Sequence, residues 1–142
     1  MGGAPEKDAQ LLYDFGIKMG LAFQLQDDYL DVYGDPAVFG KKIGGDILCN
    51  KKTFMLITAL SLAEGEDKET LLNWLRATGY VAEEKIQSVT ALYNKVGVPE
   101  LCQARIDAYY KEGLELLDKV NVESSLKEEL KKFVCHLMDR KL

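Results

Sequence analysis

Three aspartates, Asp27, Asp28 and Asp31, have types and spacing that could bind a metal ion. Side chains three and four positions apart share a helix face, so we expect these carboxylates to project toward one side. They precede Gly34, which is typical of a helix C-terminus, where the dipole adds a penalty of roughly 0.3–1 kcal/mol for each nearby anion. A divalent cation with oxygen ligands would offset this repulsion, and Mg²⁺ commonly binds carboxylates together with substrate phosphates. The cluster therefore predicts a Mg²⁺ site.

Other interpretations of the acidic cluster fit the sequence less well. A solvated acidic face leaves unexplained why the acids extend an apolar helix, because buried charges are normally paired or bind metals. A Ca²⁺ loop starting at Asp31 fails because its twelfth position is Lys42 and not glutamate. A nucleotide-binding P-loop fails because Lys41 is followed by Lys42 and not by serine or threonine. The single histidine, His136, has no serine or cysteine pattern beside it, so we expect it to play no catalytic role.

Four lysines follow the aspartates in a glycine-containing segment: Lys41, Lys42, Lys51 and Lys52. Lysines in loops are usually solvated, but a cluster of them after a carboxylate metal site suggests that an anion binds there. The glycines at positions 44 and 45 would let the backbone approach this anion.

A long helix must position the aspartates. From Leu11 to Tyr33 the sequence is apolar on nearly every side, which is typical of a helix at the centre of a bundle. One stripe changes from small and apolar to polar along the helix; it comprises Tyr13, Gly16, Ile17, Gly20, Gln24, Asp27 and Asp31. We expect its two glycines to let a neighbouring helix approach, and its polar end to open into a cavity.

The remaining sequence also has helical periodicity. We predict helices at about 5–33, 52–63, 67–76, 81–96, 99–120 and 124–139, with a loop at about 34–51. No segment shows the sustained alternation that is typical of strands, so the fold class is all-α. A chain of 142 residues is sized for one domain with one core.

Composition narrows the class of protein. The net charge of −5 argues against nucleic acid as a partner. The 3 cysteines are odd in number and lack CxxC spacing, which favours free thiols in a reducing compartment. The N-terminal sequence MGGAPEKD lacks the order of a secretory signal, and no apolar run reaches the roughly 20 residues of a membrane span. We therefore expect a soluble, cytoplasmic protein.

Residues 23–53, FQLQDDYLDVYGDPAVFGKKIGGDILCNKKT, resemble the second aspartate-rich motif of the trans-isoprenyl diphosphate synthases, the farnesyl and geranylgeranyl diphosphate synthase family. The matching residues, in order, are Phe23, Gln24, Asp27, Asp28, Asp31, Gly34, Asp35, Gly40, Lys42, Gly44, Asp46 and Lys51. The loop carries one extra residue, and Ile43 makes Lys42 the family lysine instead of Lys41. The first aspartate-rich motif of that family does not occur here, so the chain resembles the C-terminal half of such an enzyme.

The resemblance implies a helical bundle of the isoprenoid synthase type and a prenyltransferase that condenses an allylic diphosphate with isopentenyl diphosphate. It implies that the three aspartates bind Mg²⁺, with Asp27 as a direct ligand and the other two binding directly or through water. Lys42 and Lys51 would clamp the diphosphate in a catalytic role. Gln24 would lie beside the reacting carbons, and Phe23 would shape the substrate pocket.

The resemblance also implies a missing N-terminal half and a homodimeric intact enzyme. We expect the isolated chain to be inactive, because the family's chemistry needs a second carboxylate cluster opposite the first. The alternative function is a non-catalytic helical fragment, or a regulatory or assembly subunit. An all-helical terpene cyclase is a second enzymatic alternative.

Overall fold

The computed structural model describes residues 6–35, 43–121 and 123–138. All regular structure in these ranges is helical, with α1 at Glu6–Tyr33, α2 at Gly45–Leu48, α3 at Phe54–Leu62, α4 at Gly65–Arg76, α5 at Ala82–Lys95, α6 at Val98–Asp118 and α7 at Ser124–Met138. The prediction of an all-α fold is confirmed. Among the helices described, none has the length and apolar character needed to cross a membrane.

The two ends of α1 have clear local causes. Glu6 and Asp8 lie in its first turn, where carboxylates interact favourably with the positive end of the helix dipole. At the other end, the backbone N–H of Gly34 donates to the carbonyl oxygen of Leu30 at 2.8 Å. A Cβ atom at Gly34 would lie 2.5 Å from that oxygen, so a glycine is required where the helix ends.

The short helix α2 lies inside the segment that we predicted to be a loop. It begins after Gly44, whose φ of 92° is left-handed and favours glycine. A Cβ atom there would also come within 2.5 Å of the Ile86 side chain. The next helix, α3, begins directly after its N-cap residue Thr53, whose Oγ1 accepts the backbone N–H of Leu56 at 3.1 Å.

The chain divides into two compact units. The first unit contains the described residues up to Gln26 and from Ala104 onward. Its core consists of the buried side chains of Phe15, Leu117 and Val134. The boundaries between the units fall inside α1 and α6.

The second unit runs from Asp27 to Gln103, and α5 is the helix around which it is built. This helix contacts α2, α3 and α4. Its buried face carries Lys85, Val89 and Tyr93, which follow each other at the four-residue spacing of one helix face. This unit contains the acidic end of α1 and the segment with Lys51.

One face of α1 is left uncovered by the part of the chain that the structure describes. Tyr13 is 65% exposed and Ile17 is 43% exposed. Apart from the adjacent residues and local backbone of α1 itself, no described atom lies within 4 Å of the position that a Cβ atom would take at Gly16 or Gly20. Such a contiguous apolar face is typical of a surface that packs against another element.

Candidate functional site

An ion pair between Asp28 and Lys51 is the main feature at the C-terminal end of α1. The Lys51 Nζ donates to Asp28 Oδ1 at 3.0 Å and lies 3.9 Å from Asp46 Oδ2. The Asp28 side chain is only 9% exposed, whereas the Lys51 side chain is 45% exposed. The pair therefore supplies a counter-charge to a buried carboxylate while the ammonium still reaches solvent.

The hydrogen bond to Asp28 raises the pKa of Lys51 above its usual value of 10.5. The negative charges of Asp28, Asp46 and Asp31 add to this increase, and partial desolvation opposes it. The folded state thus favours the protonated amine, and its stabilisation is lost only as the pH rises through the raised pKa. Lys51 is therefore a permanently charged donor at neutral pH, which suits a phosphate ligand.

Asp31 joins the end of α1 to α2. Its Oδ2 accepts the backbone N–H of Asp46 at 2.8 Å, and its carbonyl oxygen accepts the N–H of Gly44. Lys51 is also hydrogen-bonded to Asp46, because its own N–H donates to the carbonyl oxygen of Asp46 at 2.9 Å. These contacts fix the backbone of Lys51 relative to the aspartates.

The three aspartates have different surroundings in the structure. Asp28 contacts Lys51, Asp31 binds the start of α2, and Asp27 is half-buried. The reason is that consecutive residues lie about 100° apart around a helix, so Asp27 and Asp28 point in different directions. Among the described residues, no group of three acidic, histidine or cysteine side chains could hold a metal ion by itself. The assignment of these aspartates as Mg²⁺ ligands stays a prediction.

The other predicted site residues are distributed as follows. Phe23 is half-buried and Gln24 is exposed, both on α1 within the first unit. Lys52 is exposed. Lys41 and Lys42 lie outside the described residues. The roles of Phe23, Gln24 and Lys42 therefore stay predictions.

Sequence reasoning missed two residues next to this site, Asn50 and Lys85. Lys85 is 1% exposed, and its Nζ donates to Asn50 Oδ1 at 2.6 Å. Its position four residues before Val89, on an apolar helix face, is the signal that could have indicated burial. Asn50 directly precedes Lys51 and has a φ of 55°, a conformation that asparagine tolerates better than most residues.

Cys102 is a buried thiol in the second unit. Burial raises the pKa of this thiol to about 12, and the negative charge of Asp28 adds to the increase. The thiol is therefore neutral at physiological pH and is no nucleophile. The groups that can act on a ligand here are carboxylates and an ammonium ion.

Comparisons of this chain with known proteins agree on one protein family. A family model described as polyprenyl synthetase matches residues 1–95. A short chain isoprenyl diphosphate synthase from Methanothermobacter thermautotrophicus is 35% identical over 129 residues, which cover 89% of this chain and 39% of that protein.

Two solved structures share the fold of this chain. One is a geranylgeranyl pyrophosphate synthase with a TM-score of 0.85 and 34% identity, covering 99% of this chain and 44% of that one. The other is a geranylgeranyl pyrophosphate synthase from Corynebacterium glutamicum, complexed with isoprenyl diphosphate and magnesium. It has a TM-score of 0.85 and 30% identity, covering 97% of this chain and 39% of that one. This chain thus spans less than half the length of these relatives.

Proposed function

Because this chain belongs to the polyprenyl synthetase family, we propose that it is the C-terminal part of a prenyltransferase. The intact enzyme would condense an allylic diphosphate with isopentenyl diphosphate and release inorganic diphosphate. The observation that carries the proposal is the Lys51 ammonium, held 3.0 Å from Asp28 and 3.9 Å from Asp46. A fixed, solvent-accessible cation beside carboxylates is the arrangement expected for binding a metal diphosphate.

The donor set of this site fits Mg²⁺. This hard cation takes oxygen ligands and usually binds one or two carboxylates plus substrate phosphates, and seldom a cage made of protein alone. Asp27, Asp28 and Asp31 supply such oxygens, and the lack of a three-residue cage among the described residues agrees with a metal that arrives with its substrate. The Corynebacterium glutamicum relative, which contains both magnesium and isoprenyl diphosphate, supports this assignment. When bound, Mg²⁺ would neutralise charge on the diphosphate leaving group.

In the proposed reaction, the allylic carbon–oxygen bond breaks and diphosphate leaves with the electron pair. The double bond of isopentenyl diphosphate then attacks the allylic cation, and loss of a proton completes the product. Lys51 would donate to a diphosphate oxygen, so that its charge stabilises the leaving group as negative charge develops. Lys42 would donate to the same group, Gln24 would lie beside the reacting carbons, and Phe23 would shape the pocket.

Calorimetry with an allylic diphosphate analogue, with and without Mg²⁺, tests the proposed site. Lys51→Met should weaken Mg²⁺-dependent binding by about tenfold or more, because a hydrogen bond to a charged group contributes about 1.5–3 kcal/mol. Lys52→Met is the matched control, since it removes the same charge from the neighbouring exposed position. Equal losses in both variants would indicate diffuse electrostatic attraction and contradict a specific role for Lys51.

A non-catalytic helical fragment or an assembly subunit is the second candidate function. It is favoured by the 39% share of the Methanothermobacter thermautotrophicus protein that this chain covers. A chain that only packs against a partner should bind no allylic diphosphate, so the same calorimetry separates the two functions. A cytoplasmic location and a homodimeric intact enzyme belong to the prenyltransferase proposal and stay predictions.

A further inference from the structure

Helix α5 buries a charged side chain inside the second unit. Lys85 is 1% exposed, and its Nζ donates to Asn50 Oδ1 at 2.6 Å and to the Tyr80 hydroxyl at 3.3 Å. The same ammonium lies 4.8 Å from the centroid of the Tyr80 ring, within cation–π distance. Its partners among the described residues are therefore neutral groups. Burial of a charge against neutral partners is costly, and an apolar side chain of similar volume would avoid that cost.

The main partner of this ammonium has an unusual backbone conformation. Within the described ranges, Asn50 is the one residue other than glycine with a positive φ, at 55°. Its side chain bonds two elements at once, since Nδ2 donates to the carbonyl oxygen of Leu75 at 3.1 Å while Oδ1 accepts from Lys85. A left-handed conformation persists where its surroundings over-determine it. These two hydrogen bonds provide that constraint.

The conformation of Asn50 sets the direction of the backbone at Lys51. The N–H of Asn50 donates to the carbonyl oxygen of Ile47 at 3.2 Å, and the N–H of Lys51 donates to that of Asp46 at 2.9 Å. A left-handed residue between them redirects the chain, so a change at Asn50 would point Lys51 away from Asp28. Asn50, Lys51 and Lys85 line the same small cavity, which measures about 10 Å³.

We propose that Lys85 is a positioning residue, which holds Asn50 in its left-handed conformation and thereby directs the Lys51 ammonium toward Asp28. The inference rests on the proposed function only in that Lys51 is the residue that contacts diphosphate. Lys85 itself is enclosed by protein and contacts no substrate.

A double-mutant cycle on the full 142-residue chain tests this inference, with inorganic pyrophosphate and Mg²⁺ as the probe in calorimetry. Lys85→Met should weaken binding by about tenfold when Lys51 is present and by less than about twofold in the Lys51→Met background, because residues acting through one another are not additive. Lys95→Met is the control, since Lys95 is an exposed lysine of α5 paired with Asp67 at 2.9 Å. Equal losses in both Lys51 backgrounds would show a merely structural role and overturn the inference.

A second measurement does not depend on a ligand. The labelling rate of Lys51 by an amine-reactive reagent, followed by mass spectrometry, should rise several-fold in Lys85→Met, because an ammonium freed from Asp28 is more accessible. Lys95 serves as the internal reference, and Lys85→Arg, which keeps the charge, should restore at least part of the slow labelling. An unchanged Lys51 rate in Lys85→Met overturns the inference.

The two measurements separate two kinds of failure. If the unmodified chain binds no pyrophosphate, the proposed function fails, while the labelling rates still decide whether Lys85 positions Lys51. If Lys85→Met does not fold, as judged by circular dichroism, Asn50→Ala replaces it, because alanine removes both side-chain hydrogen bonds and disfavours the left-handed backbone. The Lys51 labelling rate should then rise several-fold, and an unchanged rate overturns the inference.

Discussion

At the residue scale, the carboxylates at the end of α1 have different partners and therefore different roles. Asp28 is paired with Lys51, and Asp31 accepts the N–H of Asp46. Asp27 is half-buried, on the stripe of α1 whose earlier members, from Tyr13 to Gln24, are exposed. Substitution of Asp27 is thus expected to affect ligand binding with little effect on these structural contacts.

We predict that Asp27→Ala removes most Mg²⁺-dependent affinity for an allylic diphosphate analogue. Loss of a direct oxygen ligand should weaken binding by at least about tenfold, or about 1.4 kcal/mol, in calorimetry. Asp14→Ala, which changes a carboxylate earlier on the same helix, is the control. Unchanged affinity in Asp27→Ala would refute the ligand assignment.

A second prediction at this scale concerns the three thiols. Cys49 and Cys135 are exposed, whereas Cys102 is buried with a pKa of about 12. Burial keeps this thiol neutral at pH 8, so a thiol reagent should rapidly modify two cysteines in the folded chain. Three should react in denaturant. Rapid reaction of all three in the folded chain would contradict the described burial of Cys102.

At the element scale, α2 is stabilised by a hydrogen bond to α1. A helix of four residues is too short to be stable alone, and Asp31 supplies an acceptor for the N–H of Asp46 in its first turn. The orientation of α2 in turn sets the start of the segment that carries Lys51. Helix α1 therefore positions the ammonium as well as the carboxylates.

We predict that Asp31→Ala destabilises the chain by about 1–3 kcal/mol, because it leaves a part-buried N–H without its acceptor. Urea denaturation without Mg²⁺ measures this change, and hydrogen exchange at residues 45–48 should localise it to α2. Asp31→Asn keeps an oxygen acceptor and should cost less. Wild-type stability of Asp31→Ala would show that this hydrogen bond is dispensable.

The long helices could be predicted from sequence because their signals are local. Apolar periodicity, Gly34 and the acids of the first turn placed α1 at 5–33, and the structure has it at Glu6–Tyr33. The predicted helix at 67–76 begins earlier, at Gly65, because Glu64 is the extended residue that precedes it. Helix α2 escaped prediction because four residues, GDIL, give no measurable period.

The site was predictable only in its residue types. Lys51 was assigned to the site, but its hydrogen bond to Asp28 joins residues 23 positions apart. The bond between Lys85 and Asn50 joins residues 35 positions apart, and no local pattern specifies such a pair. Burial of Lys85 also runs against the general preference of lysine for the surface, so residue type alone would predict an exposed side chain.

At the scale of the whole molecule, the uncovered face of α1 and the partial coverage of the relatives are related observations. The exposed side chains of Tyr13, Ile17 and Leu21 would ordinarily be buried in a helix so rich in apolar residues. The chain covers 44% of a solved relative that has the same fold over 99% of this chain. In the proposed function, further protein would pack against this face in the intact enzyme.

We predict that the 142-residue chain alone forms no isoprenoid product at a detectable rate. Ionisation of the allylic diphosphate should need a second carboxylate cluster facing the first, in agreement with the proposed function. Incubation with labelled isopentenyl diphosphate, an allylic diphosphate and Mg²⁺ provides the measurement. Co-expression with the N-terminal half of a relative should restore product formation if the halves assemble.

Product formed by the purified chain alone would contradict both the half-enzyme proposal and the need for a second carboxylate cluster. A replacement such as Ile17→Lys, on the exposed face, should block the recovery by co-expression. It should leave pyrophosphate binding by the chain unchanged, because Ile17 lies in the first unit and Lys51 in the second.

The Asp28–Lys51 ion pair gives the site a thermodynamic linkage between its two proposed ligands. While the ammonium is paired with Asp28, a metal ion that arrived alone would have to compete with it, and a diphosphate that arrived alone would have to draw the ammonium away from Asp28. In the proposed function, a metal and a diphosphate that arrived together would relieve this competition, because the metal would take the place of the ammonium at Asp28 and the ammonium would donate to the diphosphate. Each ligand should therefore raise the affinity for the other by the same factor, as reciprocity requires. The chain would then respond to the metal–diphosphate complex and remain nearly unoccupied in the presence of either component alone.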